Sequence, residues 1–473
     1  MTAVSAHQVD SCLSLAGGLE VVGYRRADSS FGQAATWRVS PEPLVLSADD
    51  IEWFRELGQH LYRFTAASNE LYMGSASGRL PGWICEYLDQ GKPPALIEYQ
   101  RMHRLRNQIP TVMRPDVIPT SAGMMITELD SVPGGMGVTD RLAELYAEQG
   151  HQTLLNGHSI LEEFAAMVRV AGKSSVTRLA IIVSEESEAY RMEMTWLGDG
   201  LRCHGVEAVT VKPHELRYTE DGVFFGPLCN DERVDVVYRF FELFDLPNIA
   251  KVELLMYLNK KKRVAVVPPF RPLFEEKMWL ALLHHPLLSQ YWRRELGDDA
   301  YAFLCQYFPP TWILDPTSVP AHATIPGLYV SGSAVNSWGQ LKNLGRSERH
   351  LVIKPSGFSA LAWGGRGVVI GHDVSTAEWN EALDSALAAF PRNPHVLQEF
   401  RSGSHFEGRF YEPESQSIRS IPCRVRLCPY YFVVGDEVRL TSILATMCPL
   451  EKKKIHGMPE AILVPCTVDE YSL

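Results

Sequence analysis

A lysine at the end of an apolar stretch, followed by a glycine-rich segment, is the first group of residues that could do chemistry. Lys354 ends the stretch LVIK, and PSGFSALAWGGRG follows before a second apolar stretch, GVVIG. An ammonium at the end of a buried strand is costly unless it meets an anion or reaches water. Backbone N–H groups of a glycine-rich loop can fold over phosphate groups. The pattern is therefore typical either of a phosphate site that includes Ser356 and Gly357, or of an exposed loop beside a solvent-directed lysine.

A second candidate is the group of carboxylates and one arginine in TVMRPDVIPTSAGMMITELD. The turn-rich PTSAG between two strand-like runs predicts a β-hairpin. With the turn centred near Ser121, Arg114 is expected to face Glu128, with Asp116 and Asp130 on the same face. Carboxylates packed this closely repel one another, and a divalent cation relieves the repulsion. The density of acids favours a metal site over the alternative, a surface ladder of ion pairs.

A third candidate is the apolar stretch HVLQEF. Its last residues, Gln398, Glu399 and Phe400, could offer backbone groups to the edge of an adenine and a carboxylate to ribose hydroxyls. By itself this pattern is weak, because most strands of this kind have only a structural role.

The first part of the chain must supply the scaffold for the acidic hairpin. Its first forty-odd residues are expected to form irregular structure and short strands. SADDIEWFRELGQHLYRF then predicts a helix capped by Ser47, with apolar residues at helical spacing. ALIEYQRMHRLRN predicts a second helix that ends before Pro110.

The later elements alternate between strands and helices. From Arg178 onward, RLAIIV, a helix, EAVTV and VDVVYRFF predict a Rossmann-like parallel unit. Further strands (RVAVV, LVIK, GVVIG and HVLQEF) alternate with helices towards the carboxyl terminus. The last stretch, CRVRLCPYYFVVGDEVRLTSILATM, predicts a β-hairpin around Gly435.

Composition limits the classes of function. The chain has 473 residues, which suggests two to three domains or one composite domain, and a net charge of −11 argues against a general nucleic-acid binder. Its nine cysteines lack regular spacing and are expected to be reduced thiols of a cytoplasmic protein. The first residues have no signal-peptide pattern, and no run reaches about 18 apolar residues, so no membrane partner is expected.

In their order along the chain, these motifs resemble the glutathionylspermidine synthase family of circularly permuted ATP-grasp ligases. The acidic hairpin is similar to that family's metal-binding stretch, although Asp130 stands where asparagine is usual. PPFRPLFEEKMWLALLHHPLLSQYW is similar to the family's stretch with the first nucleotide lysine, which would be Lys277. The Lys354 stretch is similar to the second lysine strand with its flexible loop, and HVLQEF to the adenine hinge strand.

The resemblance covers roughly residues 110–140 and 265–465, and the acids precede the lysines as in the permuted form. It implies an α/β (α+β) protein with a circularly permuted ATP-grasp fold and a Rossmann-like substrate domain. No amidase domain is recognisable. The expected divisions are an N-terminal helical and irregular part of the core at 1–109, a metal-binding hairpin at 110–140, a Rossmann-like substrate domain at 150–250 and a nucleotide-binding region at 265–473.

The activity that the resemblance implies is ATP-dependent ligation of a small-molecule carboxylate and an amine through an acyl phosphate, with release of ADP and phosphate. The alternatives are a non-catalytic ATP-binding protein and a phosphoryl transferase that uses the same cleft. Neither a nucleic acid nor a membrane is expected as a partner.

The resemblance also implies roles for individual residues. Magnesium is expected on Asp116, Glu128 and Asp130, and the nucleotide phosphates on Lys277 and Lys354. Arg114 would steady the transferred phosphoryl group. A basic residue of the last strands, Arg426 or Arg424, could line the same cleft. The run LEKKK could add a phosphate lysine, but a solvated charge run is the favoured interpretation.

Overall fold

The computed structural model describes residues 3–25, 37–152, 154, 159–173, 177–226, 232–320 and 322–468. It is a mixed α/β structure with several sheets. The helices are α1 (Ala3–Gly18), α2 (Ala48–Ala76), α3 (Trp83–Asp89), α4 (Pro94–Gln100), α5 (Met136–Glu148), α6 (Ile160–Gly172), α7 (Arg191–Cys203), α8 (Val252–Lys260), α9 (Met278–His284), α10 (Ser289–Leu296), α11 (Asp298–Tyr307) and α12 (Thr376–Ala389).

The strands build several sheets. They are β1 (Leu44–Leu46), β2 (Val112–Thr120), β3 (Gly123–Asp130), β4 (Thr177–Val183), β5 (Val206–Val211), β6 (Arg217–Tyr218), β7 (Val223–Phe225), β8 (Glu232–Val234), β9 (Val236–Phe240), β10 (Ala265–Val267), β11 (Thr311–Ile313), β12 (Tyr329–Val330), β13 (Ser333–Ala334), β14 (Leu351–Pro355), β15 (Val369–Ile370), β16 (His395–Glu399), β17 (Phe406–Glu412), β18 (Ser417–Val434), β19 (Glu437–Pro449) and β20 (Ile462–Val468).

The large sheet has the strand order β1-β20-β19-β18-β2-β3, and β17 pairs with β18. Strands β18 and β19 form the predicted hairpin around Gly435, which has a positive φ of 64°. Helix α2 packs on this sheet, where the Tyr431 hydroxyl donates to the Phe54 carbonyl at 2.6 Å. A side chain at Gly58 would collide with the Tyr431 ring, so the helix can approach this closely only with glycine there.

A parallel sheet with the order β10-β9-β4-β5 confirms the predicted parallel unit. Residues 179–183 of β4 are buried, as expected for a parallel strand covered on both faces. Helix α7 connects β4 with β5.

An antiparallel sheet with the order β11-β16-β14-β15 carries the lysine strand. Leu351 and Ile353 of β14 share a buried apolar cluster with Trp379 and Leu383 of α12. Because side chains alternate along a strand, Lys354 lies on the face opposite this helix.

Some sequence expectations for the first part of the chain are wrong. The amino-terminal region forms helix α1 in place of irregular structure, and its buried Cys12, Leu15, Ala16 and Leu19 have helical spacing. The second predicted helix ends early, at Gln100, whose amide donates to Asp89 at 2.8 Å. Helix α2 begins after Ser47 as predicted and continues to Ala76.

Within the described residues, no helix combines the length and the apolar character needed to cross a membrane.

Candidate active site

A cleft of about 640 Å³ opens where the large, parallel and antiparallel sheets meet. The β2–β3 hairpin contributes Arg114, Asp116, Glu128 and Asp130 to its wall, and β18 contributes Arg426. The antiparallel sheet adds the lysine strand β14. The carboxyl end of β9 and the segment 453–457 complete the cleft.

The hairpin register differs from the expected one. Arg114 pairs with Asp130, and Asp116 pairs with Glu128, whereas the sequence analysis had placed Arg114 opposite Glu128. The turn is tighter than expected, because Thr120 pairs directly with Gly123. An irregularity beside Asp116 then shifts the register by one residue, and this returns the acidic side chains to one face.

Asp116 lies between two guanidinium groups. One oxygen accepts from Arg426 at 2.9 Å, and the other lies 3.4 Å from Arg114 Nη2 and 3.4 Å from Cys428 Sγ. Burial would raise the pKa of Asp116, but Arg426 and Arg114 outweigh it and lower the pKa. Arg424 shares the face of Arg426 but donates to the Leu450 carbonyl instead, so Arg426 is the basic residue of β18 that reaches the cleft.

Arg114 is held in place from two sides. Its guanidinium lies 3.1 Å from Asp130 and donates to the Gly134 carbonyl at 3.0 Å. Tyr430 donates to the same carbonyl at 2.8 Å. The following Gly135 has a φ of +86°, and a Cβ there would lie 2.7 Å from the Tyr430 hydroxyl, so this turn requires glycine.

Lys277 lies beside the hairpin, just before α9. Its ammonium contacts Glu128 at 2.9 Å and donates to the carbonyls of Ser356 at 3.1 Å and Ala362 at 3.4 Å. Burial would lower the pKa of Lys277, but the Glu128 carboxylate raises it above its usual value. Lys277 therefore stays protonated and connects the acidic hairpin to the glycine-rich segment.

Lys354 is nearly enclosed, with 7% of its surface exposed. Its ammonium donates to the Thr127 carbonyl at 3.0 Å and to Gln398 Oε1 at 2.8 Å. Across the described part of the chain, no carboxylate lies within 4 Å of it. Burial lowers the pKa of Lys354 to about 8. The Lys354 ammonium therefore places a positive charge in the cleft, and its hydrogen-bond partners are neutral groups.

The carboxylates of the hairpin differ in how well they could hold magnesium. Among the described residues, no group of three or more histidine, cysteine, aspartate and glutamate side chains is placed to hold a metal ion. All three carboxylates have partners within the protein, but Glu128 and Asp130 keep 34% and 23% of their side chains exposed, against 10% for Asp116. Magnesium commonly takes one or two carboxylates together with substrate phosphates. Glu128 and Asp130 fit that arrangement best because they are the more exposed, provided that Glu128 exchanges Lys277 for the metal, and Asp116 fits it only if an arginine contact breaks.

Several predicted nucleotide contacts are already used within the protein. The Ser356 hydroxyl is fully buried and bonds to Glu276, so it does not reach the cleft. Gln398 divides its side chain between Lys354 and Thr311. The backbone N–H groups of Glu399 and Phe400 donate to neighbouring carbonyls at 2.9 Å. An adenine edge could therefore not use these groups, because β16 is a central strand whose neighbours occupy both edges.

Gly357, Glu399 and Phe400 do line the cleft. A Cβ at Gly357 would lie 2.2 Å from the Glu275 carbonyl oxygen. This glycine is therefore required for close backbone packing. The Glu399 carboxylate pairs with Arg401 at 2.8 Å.

The glycine-rich segment lines the cleft and is joined to it through Lys277, whose ammonium donates to two of its carbonyls. Residues Ala360–Gly365 form a short 3-10 turn. The Trp363 ring lies 6.0 Å, between ring centroids, from Tyr190 of the parallel-sheet region, with the two rings tilted by 55°. Arg366 pairs with Glu186 at 2.7 Å. These contacts join the segment to the opposite wall.

The parallel-sheet region contributes cleft residues that no sequence motif had indicated. Glu242 lies two residues after the end of β9, and Tyr190 and Phe240 line the same cleft. Burial, and then the adjacent Glu275 carboxylate, raise the pKa of Glu242 well above its usual value. Its position at the carboxyl end of a parallel strand was a usable signal, because ligands bind at that edge of open α/β sheets.

Lys453 and Lys454 of the run LEKKK also line the cleft, Lys453 half-buried and Lys454 exposed. Lys453 pairs with Asp373.

No protein-family model matches the chain. No curated protein matches it either. Among solved structures, the chain is similar to a glutathione synthetase-like effector from Globodera pallida, solved in its apo form, with 10% identity, a TM-score of 0.58 and 98% of each chain covered. A protein provisionally named gamma-glutamylcysteine synthetase, from Methylobacillus flagellatus, matches with 11% identity and a TM-score of 0.39, over 80% of this chain and 84% of that one.

At 10% identity, the first similarity shows a shared fold over nearly the whole chain. The second is too weak to bear on the fold. The resemblance to the glutathionylspermidine synthase family remains a prediction from the motifs.

Proposed function

We propose that this protein is an ATP-dependent carboxylate–amine ligase that forms an amide or peptide bond through an acyl phosphate. The observation that carries the proposal is the ammonium of Lys354, which is buried in the cleft without a carboxylate partner within the described residues. A buried charge of this kind is stabilised by an anionic ligand. The shared fold with a glutathione synthetase-like effector supports the same class of activity.

In the first step, a carboxylate oxygen of one substrate attacks the γ-phosphorus of ATP. The bond from that phosphorus to the bridging oxygen breaks, and ADP leaves. Such a transfer depends on positioning and on stabilising charge more than on covalent help from the protein. Lys354 and Lys277 would hold the phosphates as point charges, and the forks of Arg114 and Arg426 would stabilise the transferred group.

In the second step, the amine nitrogen attacks the acyl carbon, phosphate leaves, and the nitrogen loses a proton. The acyl phosphate is sensitive to water, so the cleft must stay closed between the two steps. The segment 356–367 lies where it could exclude water, because Trp363 and Arg366 already reach the opposite wall.

Magnesium would neutralise charge on the β- and γ-phosphates. We propose Glu128 and Asp130 as the residues that hold it, with Asp116 in the predicted third position. Asp116 would also orient Arg426, which it contacts at 2.9 Å.

Each division of the chain has a separate role in this proposal. The region 150–250 would bind substrate, 110–140 would hold the metal, and 265–473 would bind the nucleotide, with 1–109 as supporting core. The acids precede the lysines along the chain, which supports a circularly permuted ATP-grasp arrangement. The substrates in this proposal are small molecules. A cytoplasmic location is also proposed, since the eight cysteines among the described residues are free thiols.

A non-catalytic ATP-binding protein is the second candidate. It is favoured by one observation, that Lys277 already neutralises Glu128 in the structure. If that pair persisted with bound nucleotide, Glu128 would not be free to bind magnesium.

The test incubates the protein with ATP, magnesium and pooled amino acids, polyamines and small peptides, and follows nucleotides and new amide masses. ADP together with a new amide mass supports the ligase. Binding of ATP without turnover supports the non-catalytic candidate, and a phosphorylated product without an amide supports a phosphoryl transferase. A Lys354→Met variant serves as the control for contaminating ligases.

A further inference from the structure

A second cavity, of about 1090 Å³, lies at the β11 edge of the antiparallel sheet. Its wall comes from α3, the end of α9, β11 and the segments around Pro316 and Trp338. The cavity and the cleft approach each other at Thr311, which lines the cavity and accepts from the cleft residue Gln398 at 3.1 Å. Lys354, Arg114 and the acidic hairpin do not line it, so it is distinct from the proposed nucleotide site.

Half-buried aromatic rings line this cavity. They are Trp83, Tyr87, Trp312 and Trp338. The indole N–H of Trp312 donates to the Pro326 carbonyl at 2.8 Å, and that of Trp338 donates to the Asp315 carbonyl at 2.6 Å. Since these donors are used within the wall, the two indoles present their π-systems and carbon surfaces to a ligand.

One carboxylate in this aromatic wall has no cationic partner in the described part of the chain. Asp315 accepts from the Tyr87 hydroxyl at 2.5 Å and from the Thr317 N–H at 2.8 Å, both of them neutral donors. An ionised carboxylate offers about four acceptor positions, so further ones remain. The lysine of the cavity, Lys342, is already paired with Asp384 at 2.6 Å.

The histidines of the cavity do not balance this charge. Burial lowers the pKa of both His284 and His285, so they are neutral near pH 7. The cavity therefore combines aromatic surfaces with one uncompensated negative charge.

We propose that this cavity is a second ligand site that binds an alkylated ammonium ion, with the aromatic rings against its alkyl groups and Asp315 as its counter-ion. Aromatic faces attract organic cations through the ring quadrupole, and alkyl groups on the nitrogen match the apolar wall. A neutral ligand of the same shape would gain the apolar contact but not the interaction with Asp315.

The test uses choline and its uncharged carbon isostere, 3,3-dimethyl-1-butanol, in calorimetric titrations of the full chain. Choline is expected to bind saturably and at least about tenfold more tightly than the isostere. Asp315→Asn keeps an acceptor for Tyr87 and should weaken choline about tenfold without changing the binding of the isostere. Trp83→Leu should also weaken choline, which provides a second variant if the first fails to fold.

The double variant Lys342→Met with Asp384→Asn is the matched control, because it removes an ion pair of the same cavity without changing the net charge, and it should leave choline affinity unchanged. Saturating ATP should not displace choline. The proposal is overturned if choline shows no saturable binding, if both probes bind equally, or if Asp315→Asn binds choline like the unaltered protein. Displacement of choline by ATP would also overturn it, because the probe would then occupy the cleft.

Discussion

Glu128 and Lys277 form one ion pair, 2.9 Å apart, that contains both a predicted magnesium ligand and a predicted phosphate ligand. Each group neutralises the other in the structure. Binding of ATP with magnesium would therefore exchange this contact for two others, with Lys277 on phosphate and Glu128 on the metal. The exchange should leave neither charge unpaired. The incoming ligand supplies a cation for Glu128 and phosphate anions for Lys277.

The exchange predicts the effect of Glu128→Gln. Magnesium-dependent ATP turnover should fall on the order of a hundredfold, because a charged ligand becomes neutral. The fold should be unchanged, since 34% of the Glu128 side chain is exposed and no core contact is lost. Steady-state kinetics and circular dichroism together measure both effects.

Glu42→Gln is the matched control for Glu128→Gln. Glu42 also forms an ion pair, with Arg409 at 2.7 Å, but it lies outside the cleft. Turnover should not change in that variant. Equal losses in the two variants would contradict a metal role for Glu128.

Asp130→Asn is expected to keep activity within about tenfold of the unaltered protein. An asparagine oxygen can still accept the Val132 N–H, which Asp130 accepts at 2.8 Å. Burial raises the pKa of Asp130, whereas the pKa of Asp116 is lowered. The ionised form is therefore less favoured for Asp130 than for Asp116. Magnesium titrations of ATP turnover check this, and complete loss of activity would argue against the resemblance to a family that usually has asparagine here.

The residues of the hairpin could be predicted from the sequence, but their pairing could not. The acids stand out because turn residues and alternation are local signals. The exchanged pairing of Arg114 and Asp116 depends on a tight turn and one irregularity, and no residue type marks either of them. A shift of one residue in register changes every cross-strand partner. Local patterns therefore predict which face of a strand a residue occupies, but not which residue it pairs with.

Glu242 shows a second limit of sequence reasoning. It belongs to a part of the chain without a recognisable motif, and it enters the cleft only through the packing of the parallel sheet against the hairpin. The sequence did mark Lys354 as a candidate, and it lines the cleft, but its role as a phosphate ligand stays a prediction. Tertiary contacts between distant sheets decide which of the other polar residues reach the site.

Lys354→Met is predicted to weaken ATP binding roughly ten- to hundredfold, the range for one charge-assisted contact. Methionine replaces the buried alkyl chain while removing the ammonium. Calorimetric titration measures the change. Lys453→Met is the control, because Lys453 lines the same cleft but is paired with Asp373. A similar loss in both variants would mean that general cleft charge, and not Lys354 itself, holds the nucleotide.

The affinity of the unaltered protein for ATP should also fall as pH rises through about 8, where Lys354 loses its proton. The titration of Lys354 does not itself destabilise the fold as pH rises. The pKa of Lys354 is lower in the folded protein than its usual value, so the unfolded chain binds more protons above about 8, and this group then adds stability as pH rises. A Lys354→Met variant whose affinity falls through the same pH range would assign the titration to another group.

The segment 356–367 is expected to open and close over the cleft. Among the described residues, its contacts with the opposite wall include one aromatic pair, Trp363 with Tyr190, one exposed ion pair, Arg366 with Glu186, and the packing of Phe358 against the apolar cluster of the parallel-sheet region. Exposed ion pairs contribute little to stability. Gly364 and Gly365 both have positive φ, so the backbone there can turn without side-chain strain.

Trypsin should therefore cleave after Arg366 in the protein without ligand, and ATP with magnesium should protect that bond. At a nucleotide concentration about ten times the dissociation constant, the cleavage rate should fall about tenfold, because cleavage follows the open population. Mass spectrometry of the fragments identifies the bond, and Arg366→Gln should remove that product. The Lys354→Met variant should show at most about twofold protection at the same nucleotide concentration, since it binds ATP at least about tenfold more weakly. Equal cleavage of the unaltered protein with and without nucleotide would mean that the segment does not close over the ligand, and the exclusion of water from the acyl phosphate would then need another explanation.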